Sequence, residues 1–239
     1  MSEQALIAKL KQRGYWKVAI TPSEYVENRF DFKELKGIID KCSVSLRGWD
    51  YPHLDHQNTY NRSGHLESYC EFDYLIEYWR LYRSGKFIHL FGMREDGRTD
   101  SPVLERFRWY AGKEAPPQGL RGLSILSTIY SLTEIFEFGI RMAKHGVLKS
   151  GATISLELFG LQNRMLYFED FARNLRRPYI SRDGHIKLEA SFASDEQLIE
   201  TGHTIARNWF IEIAHLFQWD SPPKGILAEE QKKFLERRI

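Results

Sequence analysis

Between residues 123 and 145 the chain carries its strongest periodic signal. Leu126, Ile129, Tyr130, Thr133, Phe136, Glu137 and Ile140 recur at three- and four-residue spacing, the repeat of an amphipathic helix, and Gly146 is placed to end it. Ser, Thr and Glu interrupt the run at helical spacing, so even this longest apolar stretch falls short of the ~20 continuous apolar residues of a membrane span. The segments around this helix restrict the fold further. They read α-β-α-β, then mixed, then β-β-β-α-α. Regular βα alternation is missing and the strands come in hairpin-like pairs. The expected class is α+β, with a mixed, largely antiparallel sheet flanked by amphipathic helices.

In detail, residues 2–13 read as a helix with Leu6, Ile7 and Leu10 on one face, and residues 15–21 (YWKVAIT) as a strand. Asp31 and Glu34 have capping-box spacing for a helix over 32–41, and 43–47 is a second strand. Residues 57–67 read as a polar loop and the aromatic stretch 68–84 as a strand running into a helix. Residues 86–93 form a strand that would pair with 43–47. Ser101 and Pro102 open a helix over 103–110. Residues 112–122, with Pro116-Pro117, form a connection where a single domain spanning 1–239 could be subdivided. Strands over 152–161 and 164–168 would pair with each other. The Asp183-Gly184 turn leads to a strand over 185–192. A short helix capped by Ser194 or Asp195, a helix over 204–217 and a terminal helix over 227–238 complete the chain.

A formal net charge of +2 gives no overall bias toward nucleic acid, although a local patch can hide within a balanced total. The 15 Phe, 12 Tyr and 6 Trp supply a large core. Cys42 and Cys70 are too few for a disulfide framework and read as reduced, buried thiols. The first residues lack a secretory apolar region. A cytoplasmic protein, without a membrane partner, is expected.

Residues 45–56 (SLRGWDYPHLDH) carry the densest concentration of functional side chains. Trp49, Asp50, Tyr51, His53, Asp55 and His56 crowd around Pro52, a composition suited to a site or to an aromatic plug at the end of a sheet. Trp49, Asp50 and His53, with His89 from the strand over 86–93, are the ligand or pocket candidates. His53 and His89 are expected close together, with Asp50 as acceptor for the buried imidazole and Trp49 and Trp79 buried. Asp50, His53 and His56 are also the residue types of a zinc, manganese or iron site. But Pro52 precludes a ligand helix and no paired histidine motif exists, so no metal or other cofactor is expected and this set is kept as the alternative. His65, Glu67, Glu71 and Asp73 alternate along one strand face in the manner of a metal-dependent nuclease, with Lys86 as candidate partner. No Glu-x-Lys follows on an adjacent strand, and a solvated sheet face accounts for the pattern more simply.

No nucleophile elbow and no nucleotide-binding glycine loop appears. Cys42, at a helix end, gains nothing from a helix N-terminus. Arginines interleave with aromatics at Arg80 and Arg83, at Arg106 and Arg108, and at Arg173, Arg176 and Arg177. Such runs contact phosphate and stack bases, or else form the wet side of a helix.

The segments SLRGWDYPH (45–53) and EYWRLYRSGKFIHLFGMRED (77–96) resemble a module of bacterial AlbA-type and Schlafen-like DNA-binding proteins. The resemblance covers about a quarter of the chain and implies that Trp49, Asp50, His53, Ser84, Gly85, Phe87 and His89 share one core or pocket. There is no room before Tyr15 for a separate AlbA-like domain, so a module working beside such a domain is what it implies. The expected function is a non-enzymatic bacterial regulatory or adaptor protein acting with a nucleic-acid-processing partner in defence. It would have a protein partner, with nucleic acid or a second copy of the chain as further partners. The rival is a metal-dependent hydrolase or nuclease built on the Asp/His cluster.

Overall fold

A computed structural model describes residues 3–72, 74–97, 102–170, 173 and 175–237. The chain is α+β. Eleven strands are described: β1 (Tyr15–Pro22), β2 (Val44–Arg47), β3 (Trp49–Tyr51), β4 (Thr59–Arg62), β5 (His65–Phe72), β6 (Leu75–Tyr82), β7 (Phe87–Gly92), β8 (Arg121–Ser124), β9 (Ala152–Phe159), β10 (Arg164–Tyr167) and β11 (His185–Phe192). The helices are α1 (Glu3–Lys11), α2 (Phe32–Cys42), α3 (Val103–Ala111), α4 (Ile125–Lys144), α5 (Asp195–Leu216) and α6 (Lys224–Leu235). Seven strands form one sheet in the order β11-β9-β1-β7-β6-β5-β4, with antiparallel pairing throughout.

Helix α4 lies over one face of this sheet and buries fifteen of its twenty residues. Beneath it run two rows of side chains set by strand register. One row is Leu158, Trp16, Phe91, Glu77 and Cys70; the next is Leu156, Val18, His89, Trp79 and Ser68. Phe136 meets Trp209 of α5 edge-on at 4.9 Å, and Tyr130 stacks on Phe234 of α6 at 4.2 Å. The opposite face of β6 and β7 is covered by α1, whose Leu6 and Leu10 pack on Ile76 and Tyr78. Helix α2 has the capping box read from Asp31 and Glu34, with bonds of 2.8 and 2.7 Å.

Several sequence expectations are corrected. Residues 57–67 are not a loop but hold β4 and the start of β5, and over 68–84 the expected strand is followed by a second strand, β6, in place of the expected helix. In β6, Glu77, Trp79 and Leu81 lie on the α4 side while Ile76 and Tyr78 meet α1. With both faces covered, the hydrophobic alternation that marks a half-buried strand is erased. The 43–47 strand does not pair with β7, which lies between β1 and β6. Instead β2 and β3 form a separate small hairpin. Strands β9 and β10 do not pair either: β10 runs parallel to β8, whose residues begin inside the 112–122 connection. The two helices expected after residue 193 are one 22-residue helix. It continues through Gly202, where an added Cβ would come within 3.2 Å of Ile140, so the missing side chain lets α5 close on α4. The terminal helix begins and ends three residues earlier than expected. Asp73 and Ser101 lie outside the described residues.

A buried arginine ties the corner where β1 begins. Arg164 is fully buried and donates from Nε to the Gly160 carbonyl (2.6 Å) and from Nη1 to that of Gly122 (2.7 Å). Its Nη2 pairs with the Asp96 carboxylate. Asp96 also accepts the Gly14 amide (2.7 Å) and pairs with Arg121 at 3.3 Å. Gly14 is a requirement of this packing, because a Cβ there would sit 2.2 Å from Arg164 Nη2.

Candidate functional site

The β2–β3 hairpin stands beside the main sheet, held by a carboxylate on each side. Arg47, at the end of β2, grips Glu134 of α4 through two parallel bonds, Nε to Oε1 at 3.1 Å and Nη2 to Oε2 at 2.6 Å. Its Nη2 also reaches Ser131 Oγ at 2.9 Å. From β3 and the segment after it, Trp49 Nε1 donates to Glu77 Oε1 (2.7 Å) and the His53 amide to Glu77 Oε2 (3.3 Å). The His53 carbonyl accepts from Trp79 Nε1 at 2.7 Å, and the His53 ring stacks on Trp49 at 3.9 Å.

Glu77 is therefore the hub. Its Oε2 also lies 2.8 Å from His89 Nε2. Burial pushes the Glu77 carboxyl up, but the bonds from His89, Trp49 and the His53 amide outweigh it and hold the group below the usual carboxylate range. An ionised carboxylate only accepts, so Nε2 carries the imidazole proton and Nδ1 is left to face elsewhere. His89 is 1% exposed and its Nδ1 has no hydrogen-bond partner.

Between the hairpin, the sheet and α4 lies a cavity of about 360 Å³. Trp16, Phe91, Glu77 and His89 form its floor. Arg47 to Tyr51 form one wall, and Ser127, Thr128, Ser131 and Glu134 of α4 the roof. Phe72, Tyr74, Arg94 and Glu95 complete the rim. Three buried polar atoms of lining residues are without partners: Arg47 Nη1, Tyr51 Oη and His89 Nδ1. Tyr51 is pushed well above the usual phenol range by burial and by the negative Glu77 and Glu134. Burial likewise raises Glu95, against the bond from the Ser124 amide (2.9 Å).

Glu134 is pushed up to about 6 by burial, against the pull of Arg47. A carboxyl raised in the fold contributes stability that is complete below its ordinary 4.5 and is lost as pH rises through about 6. Chemical denaturation between pH 4 and 7 should show this loss, and Glu134→Gln should flatten it. An unchanged pH profile in the variant would assign the loss to another group. Glu77 acts in a separate window: its contribution is present above the ordinary carboxylate range and is lost on acidification below it.

The structure brings Trp49, His53 and His89 together on Glu77, with Asp50 apart. Asp50 is exposed at the cavity mouth and makes no hydrogen bond or ion pair among the described residues. The acceptor for the buried imidazole is Glu77, not Asp50. Trp79 is fully buried, whereas Trp49 is partly exposed because its ring forms the outer cavity wall. His56 faces a separate cavity of about 140 Å³ with Lys36 and Asp40. Asp50, His53 and His56 thus do not converge, and among the described residues no group of three or more His, Cys, Asp or Glu side chains is placed to hold a metal ion. In the second acidic set, Glu67 is consumed by Arg62 (2.6 Å), Tyr78 (2.9 Å) and His65 (3.2 Å), and Glu71 pairs with Lys9.

The arginine candidates are divided among internal partners. Arg80 pairs with Glu3 at 2.6 Å, and Arg83 donates to the Phe30 carbonyl at 2.9 Å. Buried Arg106 reaches the Arg173 carbonyl (3.3 Å), Arg173 pairs with Glu230 (3.2 Å), and Arg177 donates to the Gln218 carbonyl (3.0 Å). Arg108 and Arg176 are exposed. No helix among the described residues is long and apolar enough to cross a membrane.

No family model matches this chain, and no curated protein and no solved structure matches it either.

Proposed function

We propose that this protein is a regulatory module that binds a small molecule in the cavity between its sheet and α4. The observation that carries the reading is the set of three buried, partnerless polar atoms, Arg47 Nη1, Tyr51 Oη and His89 Nδ1, all on residues that line that one cavity. A buried polar group without a partner costs about 1–3 kcal/mol, and one ligand with matched donors and acceptors would satisfy all three. Aromatic walls with a few fixed polar groups are the usual make-up of such sites. The β2–β3 hairpin, tied to Glu77 on one side and Glu134 on the other, is the element whose position would report occupancy to a partner. The partner proposed is a nucleic-acid-processing protein, with exposed Arg108 and Arg176 as the two candidate arginines left for it once the internal pairs are formed.

The test is ligand-observed NMR with a panel of small aromatic fragments on the wild type and on Ser127→Phe, which fills the cavity from its roof. Fragments should bind the wild type and be lost in the variant while its melting temperature holds. Equal binding to both proteins, or none to the wild type, overturns the reading.

A further inference from the structure

The buried charges of the cavity are unequally occupied, while exposed Asp50 at its mouth is a carboxylate unpaired among the described residues. The cavity's buried carboxylates already have donors: Glu77 has three, Glu134 has the Arg47 fork, and Glu95 has the Ser124 amide. Its guanidiniums keep open valences. Arg47 Nη1 is buried and partnerless. Arg94, on the rim, lies over the Tyr74 ring at 5.7 Å and makes no side-chain hydrogen bond or ion pair among the described residues. Guanidiniums recognise planar anionic groups through paired, charge-assisted bonds. The apolar lining is aromatic and paired: Trp16 stacks on Phe91 at 5.4 Å along the floor, and Trp49 on Phe72 at 6.2 Å near the mouth. These rings give the cavity an aromatic lining, with the His53 ring backing Trp49 at 3.9 Å. Tyr51 Oη and His89 Nδ1 are buried polar atoms without hydrogen-bond partners on the same lining.

We propose that the cavity takes a small planar aromatic acid, its ring against the Trp16–Phe91 and Trp49 faces and its anionic group at Arg94 and Arg47 Nη1. A polar ring atom of the ligand would meet His89 Nδ1. This rests on the small-molecule reading above and specifies its ligand class.

Isothermal titration with three probes sharing one ring system tests it: 2-naphthoate, neutral 2-naphthol and the cation 2-naphthylmethylammonium. Naphthoate should bind at least about tenfold tighter than the cation, a difference of about 1.4 kcal/mol. Arg94→Gln should lose that margin while leaving naphthol binding and the melting temperature unchanged, and Arg94→Lys should restore part of it. Cation binding equal to or tighter than naphthoate, or an Arg94→Gln variant with full naphthoate affinity, overturns the aromatic-acid assignment but leaves the cavity a binding site. If no probe binds the wild type, or all bind Ser127→Phe equally well, the small-molecule reading fails along with it.

Discussion

Replacing Trp79 with alanine is expected to cost about 3–5 kcal/mol, the range for removing a large buried aromatic. The ring is fully buried under α4, close to Phe87, and its Nε1 holds the His53 carbonyl at 2.7 Å. Two losses therefore combine: a cavity in the sheet-facing core and release of the segment that carries His53 to Glu77. Trp49→Ala should cost less, because that ring is partly exposed. Urea denaturation followed by far-ultraviolet circular dichroism measures both, and a Trp49 variant as unstable as the Trp79 variant would contradict the ranking.

Arg164→Met should be comparably severe, at about 3–5 kcal/mol, the range for breaking a buried ion pair by removing one partner. Methionine approximates the aliphatic stem but leaves the Gly160 and Gly122 carbonyls without their donor and Asp96 with only Arg121 and the Gly14 amide. For a chain of this size the loss corresponds to a melting temperature lower by roughly 10 °C. A change of less than about 2 °C would show that the network is redundant.

The legible parts of this fold are those with a regular local period. Helix α4 announced itself through its period, and β11 (His185–Phe192) matched the bounds read from its turn and alternation. Strand β6 did not, because α1 and α4 cover its two faces and leave no alternation to read. The same burial hid the hub of the site. Glu77 stood in an aromatic stretch taken for a helix, where an acid reads as a solvent-facing position. A sharper signal was available in α4, where Ser127, Ser131 and Glu134 recur at four- and three-residue spacing within an otherwise apolar helix. Such a polar stripe on a buried face marks something polar opposite it, here Arg47 and the cavity. Trp49, His53 and His89 could be named from composition, but their common partner required the register that sets Glu77 opposite Phe91 and Trp79 opposite His89. The pairing of β10 with β8 joins segments about forty residues apart and leaves no local trace.

The β2–β3 hairpin is a two-stranded piece outside the seven-stranded sheet, and this grades the opening free energy of the molecule. The roof of the cavity belongs to α4, enclosed by the sheet, α5 and α6, whose amides exchange with solvent only in the deepest openings. The floor belongs to central strands paired on both sides. The hairpin has one small ladder of its own, but Val44 and Tyr51 are buried in the common core and Arg47 and Trp49 tie it to Glu134 and Glu77, so its opening costs less than that of the roof and floor yet has to lift two core side chains. Exchange of cavity contents with solvent is thereby uncoupled from global unfolding.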